Sequence, residues 1–210
     1  ANNATLYALV GTTGAIQGIF KSTNSGITWA ATGSTAWFDQ NCSSSSTDFT
    51  RTQSWYDLAI AVNPGDENHV MIGGVDILKT TNGGTSWSQI TSWWGGCSRQ
   101  YVHADQHVIC YEPGSSTVAY FGNDGGIWRT ATATATTPTI AAKSNNYNVT
   151  QFYSCAIHPT SGSNIYLAGA QDNGTQRFTT SGMNSTTDVT GGDGALCFID
   201  QVSPTYQVAS

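Results

Sequence analysis

Apolar runs of strand length, separated by turns rich in Gly, Asn and Pro, recur along this chain in a fixed order. Tyr56–Pro64, Asp105–Pro113 and Gln151–Pro159 each pass through an apolar run into a proline. Asp193–Asp200 has the same build and stops on an Asp where the others have Asn, Glu or His. After each proline come a polar turn and a second run: His69–Gly74, Thr117–Gly122 and Asn164–Gly169. Thr5–Gly11 matches that second run, so the chain enters partway through a unit. Third runs follow at Asp76–Lys79, Gly126–Arg129 and Thr175–Phe178. Runs this short, bounded by turn formers, predict strands rather than helices.

One turn is written twice. Ser22-Thr23-Asn24-Ser25-Gly26-Ile27-Thr28-Trp29 and Thr80-Thr81-Asn82-Gly83-Gly84-Thr85-Ser86-Trp87 share the order hydroxyl, Thr, Asn, small residue, Gly, variable, hydroxyl, Trp. Trp29 and Trp87 stand 58 residues apart. Four strands in a unit of about 45–60 residues is the arithmetic of a β-propeller blade. The expected blades are residues 1–52 (first strand missing), 53–102, 103–149 and 150–190, with a further one starting at 191–210. The predicted fold is therefore all-β, a single partial β-propeller of four-stranded antiparallel blades over 1–210, seen as part of a larger ring.

In the repeated turn, Asn24 and Asn82 are placed to accept hydrogen bonds from following backbone amides, as in an Asx-turn. Gly26 and Gly84 supply a backbone conformation that a Cβ opposes. Trp29 and Trp87 are expected to plug the space between strands or sheets. In the third unit Thr130–Thr137 keeps hydroxyl and small residues but has no Asn, Gly or Trp. It reads as a polar edge strand or loop.

Composition narrows the function classes. Only 10% of residues are charged and the net charge is −6. A mildly acidic chain has no basic patch for nucleic acid or for anionic membrane surfaces. No apolar stretch reaches the length of a transmembrane helix. No basic-plus-apolar leader opens the chain, and Ala1 reads as a mature or trimmed start. Of five cysteines, Cys42 and Cys97 follow Trp29 and Trp87 at similar intervals, in equivalent loops of adjacent blades. They are the expected disulfide, consistent with an oxidising compartment. Cys110, Cys155 and Cys197 lie in inner strands and are expected as small buried hydrophobes.

The two turns, Ser22–Trp29 and Thr80–Trp87, resemble the Asp-box, or BNR, repeat Ser/Thr-x-Asp-x-Gly-x-Thr-Trp, with Asn24 and Asn82 in the place of Asp. That repeat belongs to secreted sialidases, sortilin (VPS10)-type receptors and xyloglucanase-type glycosidases. His103–Gly126, Gln151–Gly174 and Gly191–Gly194 are similar to repeats of bacterial extracellular propellers. The resemblance implies a secreted or cell-surface propeller in which Ser22, Asn24, Gly26, Trp29, Thr80, Asn82, Gly84 and Trp87 are scaffold.

Candidate chemistry is sought where the repeats differ. Asp57, Asp105 and Asp193 stand near the starts of inner strands, and a glycosidase needs two such carboxyls flanking the scissile bond. Period-2 alternation would set His103, Asp105 and His107 on one face of a strand lining the channel. A metal site from His103 and His107 lacks a third ligand, and a hydrogen-bond network is the plainer role. The acidic loops Asn123–Gly126, Gln171–Gly174 and Gly191–Gly194 could present carboxylates and amides to sugar hydroxyls or to Ca²⁺. The same dipeptides are ordinary hairpin turns. Trp37, Phe38, Trp93, Trp94 and Tyr101 form a glycan-binding rim or pack between blades. Arg51, Arg99, Arg129 and Arg177 do not form the cluster that a sialidase needs. The expectation is a binding or adhesion scaffold for glycans or extracellular protein partners, with other chains or further blades completing the ring. The alternatives are an extracellular glycoside hydrolase and a structural subunit of an extracellular assembly.

Overall fold

A computed structural model describes residues 4–145, 147, 150–182 and 186–210. All its regular elements are strands. No helix among the described residues is long and apolar enough to cross a membrane. The chain divides into two compact units, Ala1–Asn146 and Tyr147–Ser210.

The first unit holds three up-and-down antiparallel sheets. β1 (Leu6–Gly11), β2 (Ile16–Ser22) and β3 (Ala30–Ala31) form the first. β4 (Ala59–Asn63), β5 (Asp66–Gly73), β6 (Ile77–Thr80) and β7 (Ser88–Gln89) form the second. A short parallel pair, β8 (Thr91–Ser92) and β9 (Gln100–Tyr101), leads to the third. The third sheet comprises β10 (Gln106–Tyr111), β11 (Ala119–Asn123), β12 (Gly126–Thr130) and β13 (Ile140–Ala142). The second unit holds β14 (Ser154–Ile157), β15 (Tyr166–Gly169), β16 (Thr175–Phe178) and β17 (Thr187–Thr190) in one four-stranded sheet. The hairpin of β18 (Cys197–Ile199) and β19 (Gln207–Ala209) accompanies it. Four-stranded sheets in strict sequence order are propeller blades, and the chain is an all-β propeller protein.

The second sheet explains why β5 reads as an unbroken apolar run. Val70 and Ile72 pack on Ile19, Trp37 and Phe49 from the first sheet's side. Met71, pointing the other way, packs with Ile109, Ala119 and Phe121 of the third. A strand covered on both faces loses the polar alternation of a half-exposed one. In the second unit Ala156, Leu167 and Ile199 form the core.

The repeated turns are superposable in their bonding. Ser22 Oγ donates to Asn24 Oδ1 and accepts from the Gly26 amide, while Thr28 N donates to Asn24 Oδ1. Thr80, Gly84, Asn82 and Ser86 make the same contacts. Gly26 and Gly84 have φ of 86° and 89°, the left-handed region where a side chain is strained. The tryptophans differ from expectation. Trp87 is buried against the first sheet, whereas Trp29 is 44% exposed, its indole donating to Gly26 O.

Two further expectations are corrected. Cys110 and Cys155 are exposed and Cys197 is half-buried. Their strands bury alternate residues, and Ile109 and Ala156 occupy the covered side. His103 and Asp105 are not on a strand, because β10 starts at Gln106 and carries a register shift between Gln106 and Val108.

Asp76, in the loop between β5's end and β6, anchors the connection between the first two sheets. Its carboxylate accepts from Trp37 Nε1 at 2.9 Å, Gln89 Nε2 at 3.2 Å and Thr91 Oγ1 at 3.2 Å. Gln89 in turn pairs with both backbone groups of Phe38. An Asp76→Ala change strands two buried donors, Trp37 Nε1 and Thr91 Oγ1, while Gln89 keeps Phe38 O and Thr91 O; it should cost about 3 kcal/mol, read from the denaturant midpoint. Asp76→Asn, which keeps an acceptor, should cost less.

Candidate functional site

In an up-and-down blade, the link from second to third strand and the link onward to the next blade lie at one end. The repeated turn, between third and fourth strands, lies at the other. Asp57, Asp105 and Asp124 all stand on links of the first kind, which is why residues far apart in sequence meet there.

Residues 53–57 close a single turn, with the amides of Tyr56 and Asp57 donating to Gln53 O. Ser54 Oγ fastens this turn to the first sheet's loop through Thr12 O and Gly14 O. Gln53 Nε2 donates to Asp105 Oδ1 at 2.7 Å and lies 3.4 Å from Asp57 Oδ2. Asp57 is wholly buried, and its Oδ1 has no hydrogen-bond partner. Burial foremost, and then the neighbouring Asp105 charge, push the Asp57 carboxyl up to about 8. Asp105 is 8% exposed and held at a φ of 63°.

Beside this pair lies a second cluster. Asp124 accepts from the Tyr56 hydroxyl at 2.8 Å, and its other oxygen faces His107 Nε2 at 2.5 Å. The Tyr56 and His107 rings meet edge to face, with centroids 4.9 Å apart. Trp55 leans on Tyr56 at 5.5 Å and is 69% exposed. Oxygens of Asp105 and Asp124 lie within 4.8 Å of each other. An exposed indole thus leans on a tyrosine whose hydroxyl is fixed by Asp124.

The other sequence candidates are distributed as follows. His103 packs its ring where a Cβ on Gly125 would collide, and its Nδ1 is 3.2 Å from Ala104 O. Asp193 is in the second unit, where Oδ1 accepts the Asp172 amide. Trp93 is half-buried, donates to Asp39 and lies under the Arg51 guanidinium. Trp94 is exposed and folds over Gly96. Tyr101 is exposed and meets Trp128 edge-on. Cys42 and Cys97 form a disulfide with Cα atoms 5.3 Å apart, next to the Asp39–Arg51–Trp93 cluster. Sequence reasoning did not single out Trp55 or Tyr56, and it read Asp124 within the Asn123–Gly126 loop, chiefly as a hairpin turn. The available signal was an aromatic pair directly before Asp57, in a loop where no periodicity applies.

A neutral acid next to a carboxylate is the arrangement of an acid–base pair. Here Asp57 has no exposed surface and the Gln53 amide lies between the two groups. A glycosidic bond cannot be flanked by them without moving the 53–57 turn.

Neither a protein-family profile nor a curated protein matches the chain in sequence. Among solved structures it is similar to a GH74 enzyme of Niastella koreensis, at 17% identity and a TM-score of 0.45, covering 100% of this chain and 34% of that one. It is also similar to the GH74 xyloglucanase of Xanthomonas campestris, at 11% identity and a TM-score of 0.40, over 97% and 33%. YCF48 bound to D1 peptide matches at 15% identity and a TM-score of 0.38, over 94% and 61%. The chain thus spans about a third of the GH74 enzymes and about three-fifths of YCF48.

Proposed function

We propose that this protein is a glycan-binding module, extracellular in setting, that holds sugar rings on the Trp55 platform of its first unit. The observation that supports it is the exposed Trp55 indole backed by Tyr56, whose hydroxyl is tied to Asp124 together with His107. A fixed aromatic face takes the C–H side of a sugar at little entropic cost, and the Asp124 and His107 edge meets its hydroxyls. The disulfide fits an oxidising compartment. Burial of Asp57 favours binding over hydrolysis.

The test is a glycan array probed with the intact chain, followed by calorimetry on the best polysaccharide. Trp55→Ala should weaken binding at least tenfold while leaving the thermal transition in place. Equal affinity of the variant and the parent, or no glycan bound at all, would overturn the reading.

A further inference from the structure

The second unit contains a polar cavity of about 430 Å³, between the β15–β16 link and the end of β17. Its walls are carboxylate (Asp172, Asp188), amide (Asn173, Gln176), hydroxyl (Thr150, Thr190) and bare glycine backbone. The register builds it. Thr175 pairs with Thr190 but Gln176 pairs with Asp188, so the ladder slips by one residue at Val189. Asp188 then shares a face with its partner Gln176, while Thr190 shares the other face with Thr175, where both hydroxyls donate to Ser210 O. Bulges of this kind re-aim side chains beside binding sites. The floor is fixed by the Gly174 amide donating to Gly192 O at 2.8 Å and by the Asp172 amide donating to Asp193 Oδ1. A Cβ at Gly174 would collide with the Thr190 carbonyl, whereas Gly191 and Gly192 have nothing within 4 Å on that side.

The lining selects among ligand classes. Among the described residues no apolar side chain lines the cavity, so an apolar ligand would leave polar groups without partners. Two carboxylates, with no Lys, Arg or His among the described lining residues, disfavour an anion. A single Ca²⁺ draws six to eight oxygens to about 2.3–2.6 Å, a shell much smaller than this space. A neutral ring with several hydroxyls suits both the volume and the acceptors, because a carboxylate can take two adjacent hydroxyls at once.

We infer that this cavity is a binding subsite for one neutral pyranose ring, with Asp188 as the principal hydroxyl acceptor. The choice of a sugar rests on the glycan reading above; the residues lining this cavity belong to the second unit, whereas Trp55 belongs to the first.

The experiment is saturation-transfer difference NMR on the full chain with glucose, galactose, mannose and N-acetylglucosamine, each with glucuronic acid as the anionic control. At least one neutral sugar should show transfer, with glucuronic acid weaker. Asp188→Ala should reduce the affinity at least tenfold, and Asp188→Asn, which keeps one acceptor oxygen, should lose less. Among the described residues the Asp188 side chain has no hydrogen-bond partner that its removal would strand, so an unchanged thermal transition is expected and is checked. Trp55→Ala should leave the monosaccharide signal intact, which separates this subsite from the platform. No transfer from any neutral sugar, equal transfer in Asp188→Ala, or signal lost only in Trp55→Ala would overturn the subsite. So would tight CaCl₂ binding that expels the sugar.

Discussion

Removing the Cys42–Cys97 disulfide, by Cys42→Ala with Cys97→Ala or by a reductant, should lower stability by about 4 kcal/mol. The bond joins residues 55 apart in sequence, and closing a loop of that size removes about this much free energy from the unfolded chain. For a domain of this size the loss corresponds to a fall of about 10 °C in the midpoint. It should be read by calorimetry with and without dithiothreitol, the double variant being insensitive to the reductant. The bond also fastens the link that runs from Trp37 through Arg51 to the 53–57 turn. Reduction should therefore weaken glycan binding at temperatures well below the midpoint. A double variant as stable as the parent would show that packing of Trp93, Arg51 and Asp39 alone holds these loops.

The second large effect concerns Asp57. Its carboxyl lies at about 8 in the fold against 3.8 when unfolded. The folded state therefore holds a proton that the unfolded state releases. Its favourable contribution is complete below pH 3.8 and is lost progressively as pH rises towards 8, by up to about 1.4 kcal/mol per pH unit. Asp76, pushed up to about 7 chiefly by burial, acts in the same direction. His69, lowered by burial, acts oppositely and costs stability as pH falls below its ordinary 6.5. Asp57→Asn keeps the shape and has no proton to lose. It should be more stable than the parent at pH 7 by a few kcal/mol and equal to it near pH 3.5. Parallel stability curves across that range would mean that Asp57 is charged in the fold.

The blades were legible because each strand and turn is specified locally. Asn24 and Asn82 reach amides four residues on, and glycine is required two residues after each Asn. The disulfide was legible because equivalent loops of successive blades are neighbours. Less could be read at the site. Tyr56 meets Asp124 across 68 positions, and an Asp-Gly dipeptide looks the same whether it only turns the chain or also anchors a tyrosine. His103, Asp105 and His107 were misplaced because the left-handed Asp105 and the slip after Gln106 break the alternation that would have aligned them. Asp57 shares the Gln53 amide with Asp105 from a distant loop, a contact that no local pattern records.

The placement of the repeated turn at one end of a blade, and of the connecting loops at the other, has an evolutionary consequence. Duplicating a blade copies its folding instruction whole, since that instruction is carried by a handful of residues between the third and fourth strands. The duplicate's loops at the far end are then released to diverge under selection for new ligands. Such a lineage can broaden what it recognises by gene-segment copying, at little risk to foldability. Sequence drift should accordingly concentrate in segments such as 53–57, 123–126 and 188–193.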